Sequence, residues 1–119
     1  MAENVAVTTV EDVIARAEPA YQRWLGSITD DVSIENDVLL YGPDTLCERN
    51  ATFEVARYAP GYLMIGDDGG GNGFLIPCVG GVGPVFRVGL GSLLEDDFVV
   101  VATTFEAWEA DGFAVPPDR

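Results

Sequence analysis

Apolar positions in the first part of the chain recur at helical spacing. Val10, Val13, Ile14, Ala17, Tyr21, Trp24 and Leu25 fall at i, i+3, i+4 and i+7, which puts them on one helix face. Thr8 and Thr9, each with an acid three residues on at Glu11 and Asp12, form capping boxes for its start. Pro19 lacks an N–H donor and clashes one turn back, so the helix should kink or restart there. Gly26 is a natural stop, and Trp24 is expected to anchor the core.

An acidic loop is expected from Thr29 to Asp37, then a short strand at Val38-Leu39-Leu40-Tyr41 bounded by Gly42-Pro43. Pro43 suits the first turn of a following helix, and Asp44 complements its positive end. That helix carries Leu46 and reaches at least Asn50. From Ala51 to Tyr58 two readings stand: Phe53 and Val55 alternate like a strand, whereas Leu46, Phe53 and Ala56 or Arg57 fit a helix. Ala59-Pro60-Gly61 ends either one.

Further on the pattern turns to strands. Tyr62 to Ile65 and Phe74 to Ile76 flank a glycine loop and read as a hairpin. Val85-Phe86-Arg87-Val88 follows the turn at Gly80 to Pro84. Phe98 to Ala102 is an unbroken apolar run, the mark of a strand buried on both faces. Thr103 or Thr104 caps a last helix from Phe105 to Asp111, and Pro116 to Arg119 reads as a frayed tail. The sum is a single α+β domain over residues 1–119. A mainly antiparallel sheet of about five strands carries flanking helices, with the last four strands in meander order.

At 119 residues the chain buries roughly two thirds of its unfolded surface, enough to fold without disulfide or metal. Its charge is unusual: 20 acids against 6 bases give −14, and every base is arginine. With no histidine the chain has no Ser-His-Asp or Cys-His arrangement and lacks the commonest zinc ligand. The acidic excess repels nucleic acid and anionic membrane and attracts basic partners, besides conferring solubility. Cys47 and Cys78 form no CxxC and read as free thiols in a reducing compartment. The first residues lack the basic and apolar regions of a secretory leader, and no apolar run approaches the roughly 20 residues of a membrane span. A cytoplasmic protein is expected.

The stretch IGDDGGGNGFLI, Ile65 to Ile76, is the chief candidate for chemistry. A phosphate loop is excluded, because the chain has no lysine and a strand follows where a helix should. A calcium loop would need carboxylates at alternate positions and a closing glutamate. Asp67, Asp68 and Asn72 remain able to hold a cation weakly. The simpler reading is a hairpin whose Asn72-Gly73 supplies positive φ. Glu95-Asp96-Asp97 reads as a solvated acidic turn. Ser27, Ser33 and Ser92 have no base to activate them, so no catalytic constellation emerges.

Tyr62 to Gly71 resembles the central signature of the SUKH superfamily: a strand ending in Ile-Gly, an acidic pair, then glycines and a second strand. Ala59-Pro60-Gly61, the strand Val85-Phe86-Arg87-Val88 and the ending Ala102-Thr103-Thr104-Phe105-Glu106-Ala107-Trp108 are similar to that family's order of elements. The resemblance covers Leu40 to Phe113. The N-terminal part departs from it, Glu18-Pro19-Ala20-Tyr21 being only a loose echo of an early family element.

The resemblance implies a non-enzymatic domain without cofactor or bound metal. Many bacterial members are immunity proteins that bind a cognate polymorphic toxin, often a nuclease with a basic active face. On this reading the partner is a basic toxin domain, met through Asp67, Asp68 and Asn72 and through Glu95, Asp96 and Asp97. Two alternatives stand beside it: a regulatory or scaffold domain of the same fold, and an aspartate-dependent, metal-binding hydrolase using Asp67 and Asp68.

Overall fold

The structure is a computed structural model that describes residues 10–34, 37–79 and 81–115. The capping boxes expected at Thr8 and Thr9 and the tail at residues 116–119 lie outside the described residues. Pro19 restarts the first helix rather than kinking it. Helix α1 spans Val10–Ile14, a turn follows, and α2 spans Pro19–Gly26 with proline at its first position. The Gln22 side-chain amide donates to the Ala17 carbonyl at 2.7 Å and ties the joint. Ala20, Tyr21 and Leu25 are buried along α2, while Trp24 is only half-buried.

One antiparallel sheet follows, with six strands among the described residues in simple sequential order rather than about five. The extra strand is β1, Val32–Ile34, inside the segment expected to be an acidic loop. Half-buried Val32 and Ile34 flank exposed Ser33, a two-residue alternation too short to stand out among acids. It pairs with β2, Val38–Leu40. Strand β2 then runs beside β3, Tyr62–Asp67, with Leu40 opposite Gly66. A side chain at Gly66 would overlap the Leu39 carbonyl oxygen, so only glycine lets the two strands approach this closely.

Between β2 and β3 lie α3, Pro43–Thr52, and α4, Val55–Tyr58. The ambiguous stretch is therefore helical, broken at Glu54, whose φ of 52° is left-handed. Asp31 tethers the start of α3, accepting from the Gly42 N–H at 2.8 Å and from the Thr45 hydroxyl at 3.1 Å. Asn50, buried on α3, faces the edge of β3 where short β2 has already turned away. Its amide donates to the Met64 carbonyl at 2.8 Å and its oxygen accepts from the Met64 N–H at 2.9 Å. One side chain thus does what a neighbouring strand's backbone would do.

Strand β3 pairs with β4, Asn72–Pro77, which pairs with β5, Val85–Gly89, and β6, Val99–Ala102, closes the sheet. Phe74 lies opposite Arg87, and Phe86 lies opposite Leu75, so Phe74 and Phe86 point to opposite faces. Phe74 meets Trp108 of α5, Phe105–Ala110, at a ring-centroid distance of 5.1 Å. Tyr21, Phe105, Trp108 and Phe113 complete an aromatic core between α2, α5 and that face. On the other face Phe86, Tyr62 and Phe98 pack together.

The expectation that Phe98 to Ala102 is buried on both faces is wrong. Strand β6 is the sheet edge, and Val99 and Val100 are 50% and 53% exposed. A run of valines marks a strand but does not say whether a neighbour covers it. At the chain's end Thr104 caps α5 as expected, its hydroxyl accepting from the Ala107 N–H at 2.9 Å.

Candidate functional site

The glycine stretch is a hairpin, as its composition implies, but its tip lies earlier than expected. The left-handed residues are Gly69 (φ 71°) and Gly71 (φ 100°), and Asn72 and Gly73 already belong to β4. The aspartates hold this tip together. Asp68 Oδ1 accepts from the backbone N–H groups of Gly70 at 2.8 Å and Asn72 at 3.0 Å, and Oδ2 accepts from the Asn72 side-chain amide at 2.9 Å. Asp67 accepts from the Gly69 N–H at 2.9 Å and from the Tyr41 hydroxyl at 2.5 Å.

Electrostatics follow this geometry. Partial burial by itself would raise the Asp68 carboxyl, but the hydrogen bonds from Asn72 and Gly70 outweigh it and hold the group below its ordinary value. Burial, then the hydrogen bond to Asp67, push the Tyr41 phenol well above its usual range. Asp67, Asp68 and Asn72 are thus engaged with their own loop. Among the described residues, no group of three or more acidic or cysteine side chains gathers as metal ligands do.

The second acidic element is differently placed. Glu95–Asp97 is a single 3-10 turn, fully on the surface. The Tyr62 hydroxyl donates to Glu95 Oε2 at 3.2 Å, and the Ser92 hydroxyl donates to Asp97 Oδ2 at 3.3 Å. Tyr62 itself is fixed by Phe98 and Phe86, at ring-centroid distances of 5.0 and 5.9 Å. Burial first, and Glu95 second, raise its phenol. Pro60, Gly61, Tyr62, Pro77, Val79 and Glu95 line a shallow groove of about 450 Å³. Its walls are proline, aromatic and aliphatic, and it carries one carboxylate held by a phenol.

The two acidic elements do not form one site. Asp67 ends β3 and Tyr62, the partner of Glu95, begins it, so about 17 Å of strand separates them. Sequence reasoning found Glu95, Asp96 and Asp97 but missed Tyr62, Pro60, Pro77 and Val79 as the neighbours of Glu95. The only local signal was the Pro60-Gly61 break before a strand that opens on tyrosine.

Chemically the groove suits recognition. An arginine or lysine stem can lie along Tyr62 and Pro77 with its charged end toward Glu95. No disulfide joins exposed Cys47 to buried Cys78, whose thiol burial pushes upward. No helix among the described residues is long and apolar enough to cross a membrane. No model of a known protein family matches the chain, and no curated protein matches it.

Proposed function

We propose that this chain is a non-enzymatic binding protein that acts in the cytosol as an immunity protein, neutralising a basic toxin domain by occluding it. The observation that carries the reading is the surface at Glu95–Asp97. Of three exposed acids, Glu95 lines a groove of proline, tyrosine and valine side chains whose tyrosine orients it, on a chain of net charge −14. Charge speeds encounter with a basic surface, and packing against Tyr62 and the prolines of the groove gives the complex its lifetime. The SUKH-like pattern of Tyr62 to Gly71 supports the same reading. In it the loop at Asp67, Asp68 and Asn72 is a rigid acidic rim, available to a partner through atoms its own hydrogen bonds leave open.

The test is genetic and biochemical. The product of the reading frame beside this gene is co-expressed with the chain, and survival and complex formation are measured. Rescue by direct binding is the expected result. A chain that neither binds the neighbouring product nor protects against it would overturn the reading.

A further inference from the structure

We infer that the outer edge of β6 and the groove between it and α5 receive an extended, basic segment of the partner as a seventh strand. This deepens, and rests on, the reading of the chain as a binding protein for a basic partner.

Three observations meet here. First, β6 pairs only with β5 among the described residues, so its outer backbone N–H and C=O groups face outward. Sheet edges left open in this way are manageable when short or charged. This one presents half-exposed Val99 and Val100. Second, the register skips Val101 between Val100 and Ala102, a bulge that bends the end of the strand. Val101, Ala102, Thr103, Ala107, Ala110 and Asp111 line a groove of about 470 Å³ there. Small side chains on α5 leave room beside the strand, the arrangement needed to seat alternate side chains of an added strand.

Third, charge selects the occupant. Asp111 lies in the groove wall, Glu106 and Glu109 are exposed on α5, and Glu95, Asp96 and Asp97 lead directly into β6. Among the described residues, no arginine lines the groove. A second copy of this chain, pairing β6 against β6 in antiparallel fashion, would set the 95–97 acids of one copy beside the α5 acids of the other. Two chains of −14 each repel at such a contact. A segment alternating basic and apolar residues has neither problem: its apolar side chains enter the alanine-lined groove and its cations meet the rim.

The probe is a fluorescein-labelled octapeptide of alternating lysine and valine, with a glutamate-valine octapeptide as control. Anisotropy with the full chain should rise for the basic peptide alone, and hydrogen exchange should slow at residues 99–102. Ala107→Trp, at an exposed α5 position, fills the groove. Asp111→Asn removes its charge and does not alter its shape. Each should weaken binding, Ala107→Trp by roughly tenfold or more, with melting temperature unchanged. Absence of peptide binding, protection elsewhere in the sheet, or equal binding by Ala107→Trp would each overturn the inference. So would a dimer in sedimentation that Ala107→Trp dissociates, because the occupant would then be a second copy. The toxin-rescue assay separates this from the broader reading. Rescue that survives Ala107→Trp removes the groove from that function and leaves the function standing. Failed rescue by the unaltered chain removes the function, while the peptide still decides the groove.

Discussion

The buried carboxylate of Glu18 caps a helix 87 residues away, accepting from the Phe105 N–H at 3.0 Å. Its second oxygen accepts from the Glu106 N–H, also at 3.0 Å. Glu18 is 4% exposed, so it has little access to water, and the open N-terminal N–H groups of α5 stand in for solvent. Because it precedes Pro19, the same residue joins the start of α2 to the start of α5 and sets how the aromatic core between them closes. Glu18→Ala should cost about 2–4 kcal/mol, since it strands one buried and one part-buried donor and loses a charge-assisted pair of bonds. Glu18→Gln, which keeps one acceptor, should cost less. Urea unfolding midpoints at unchanged slope check both values.

Asn50 offers a parallel case at the other side of the sheet. It is 8% exposed and satisfies both backbone groups of Met64. Asn50→Ala leaves a buried donor and a buried acceptor unmet, and about 2–4 kcal/mol of destabilisation is expected. Asn50→Asp keeps the acceptor for the Met64 N–H but sets a carboxylate against the Met64 carbonyl, so it should be no better than alanine. Native-state hydrogen exchange supplies a local reading: the Met64 amide should lose protection in Asn50→Ala beyond the global change.

These two residues show where sequence reading stops. Elements that announce themselves within a few residues were legible: Pro19 and Pro43 starting helices, Thr104 capping α5, and glycines turning between β3 and β4. Glu18 to Phe105, Asn50 to Met64 and Tyr62 to Glu95 are side-chain pairings across 87, 14 and 33 residues. No periodicity encodes such pairs, because each depends on where the sheet delivers its partner. Burial was legible for a different reason and with a matching limit. The valines of β6 fix a strand, yet the last position in the sheet is a property of the whole topology. Strand β1 was hidden because two apolar residues among acids do not make a pattern. The acids at Glu95–Asp97 were visible as charge; their groove was not, since Pro60, Pro77 and Val79 come from separate turns.

The hairpin tip carries a pH signature. Asp68 has a carboxyl held below its ordinary value in the folded chain, its hydrogen bonds from Asn72 and Gly70 outweighing partial burial. The ordinary carboxyl value, which the unfolded chain is taken to have, is 3.8. The folded state therefore favours the ionised form, and the stability this contributes is fully present above pH 3.8 and lost as pH falls through the lower folded value. Asp68→Asn places an amide nitrogen or oxygen where both carboxylate oxygens accepted, facing the Asn72 amide. At neutral pH it should unfold at lower urea than the unaltered chain. The gap should close as acid protonates Asp68 in the reference protein. Urea midpoints measured from pH 7 downward test this, and a gap that stays constant through the acid range would contradict it.

Charge at Glu95–Asp97 should act on encounter and leave stability nearly untouched, since all three side chains are exposed. Replacing them with Gln and Asn removes long-range attraction for a basic partner. Association should slow by roughly tenfold at low salt, and its dependence on ionic strength should flatten, with dissociation little changed. Tyr62→Phe separates orientation from charge. It deletes the hydroxyl that holds Glu95 but keeps the ring against Phe86 and Phe98, so every acid remains. Its association rate should stay near that of the unaltered chain, while dissociation quickens because Glu95 is no longer held over the groove. Stopped-flow association and dissociation with the toxin domain identified by rescue resolve the two. If both variants change only dissociation, the acidic turn contributes contacts without steering.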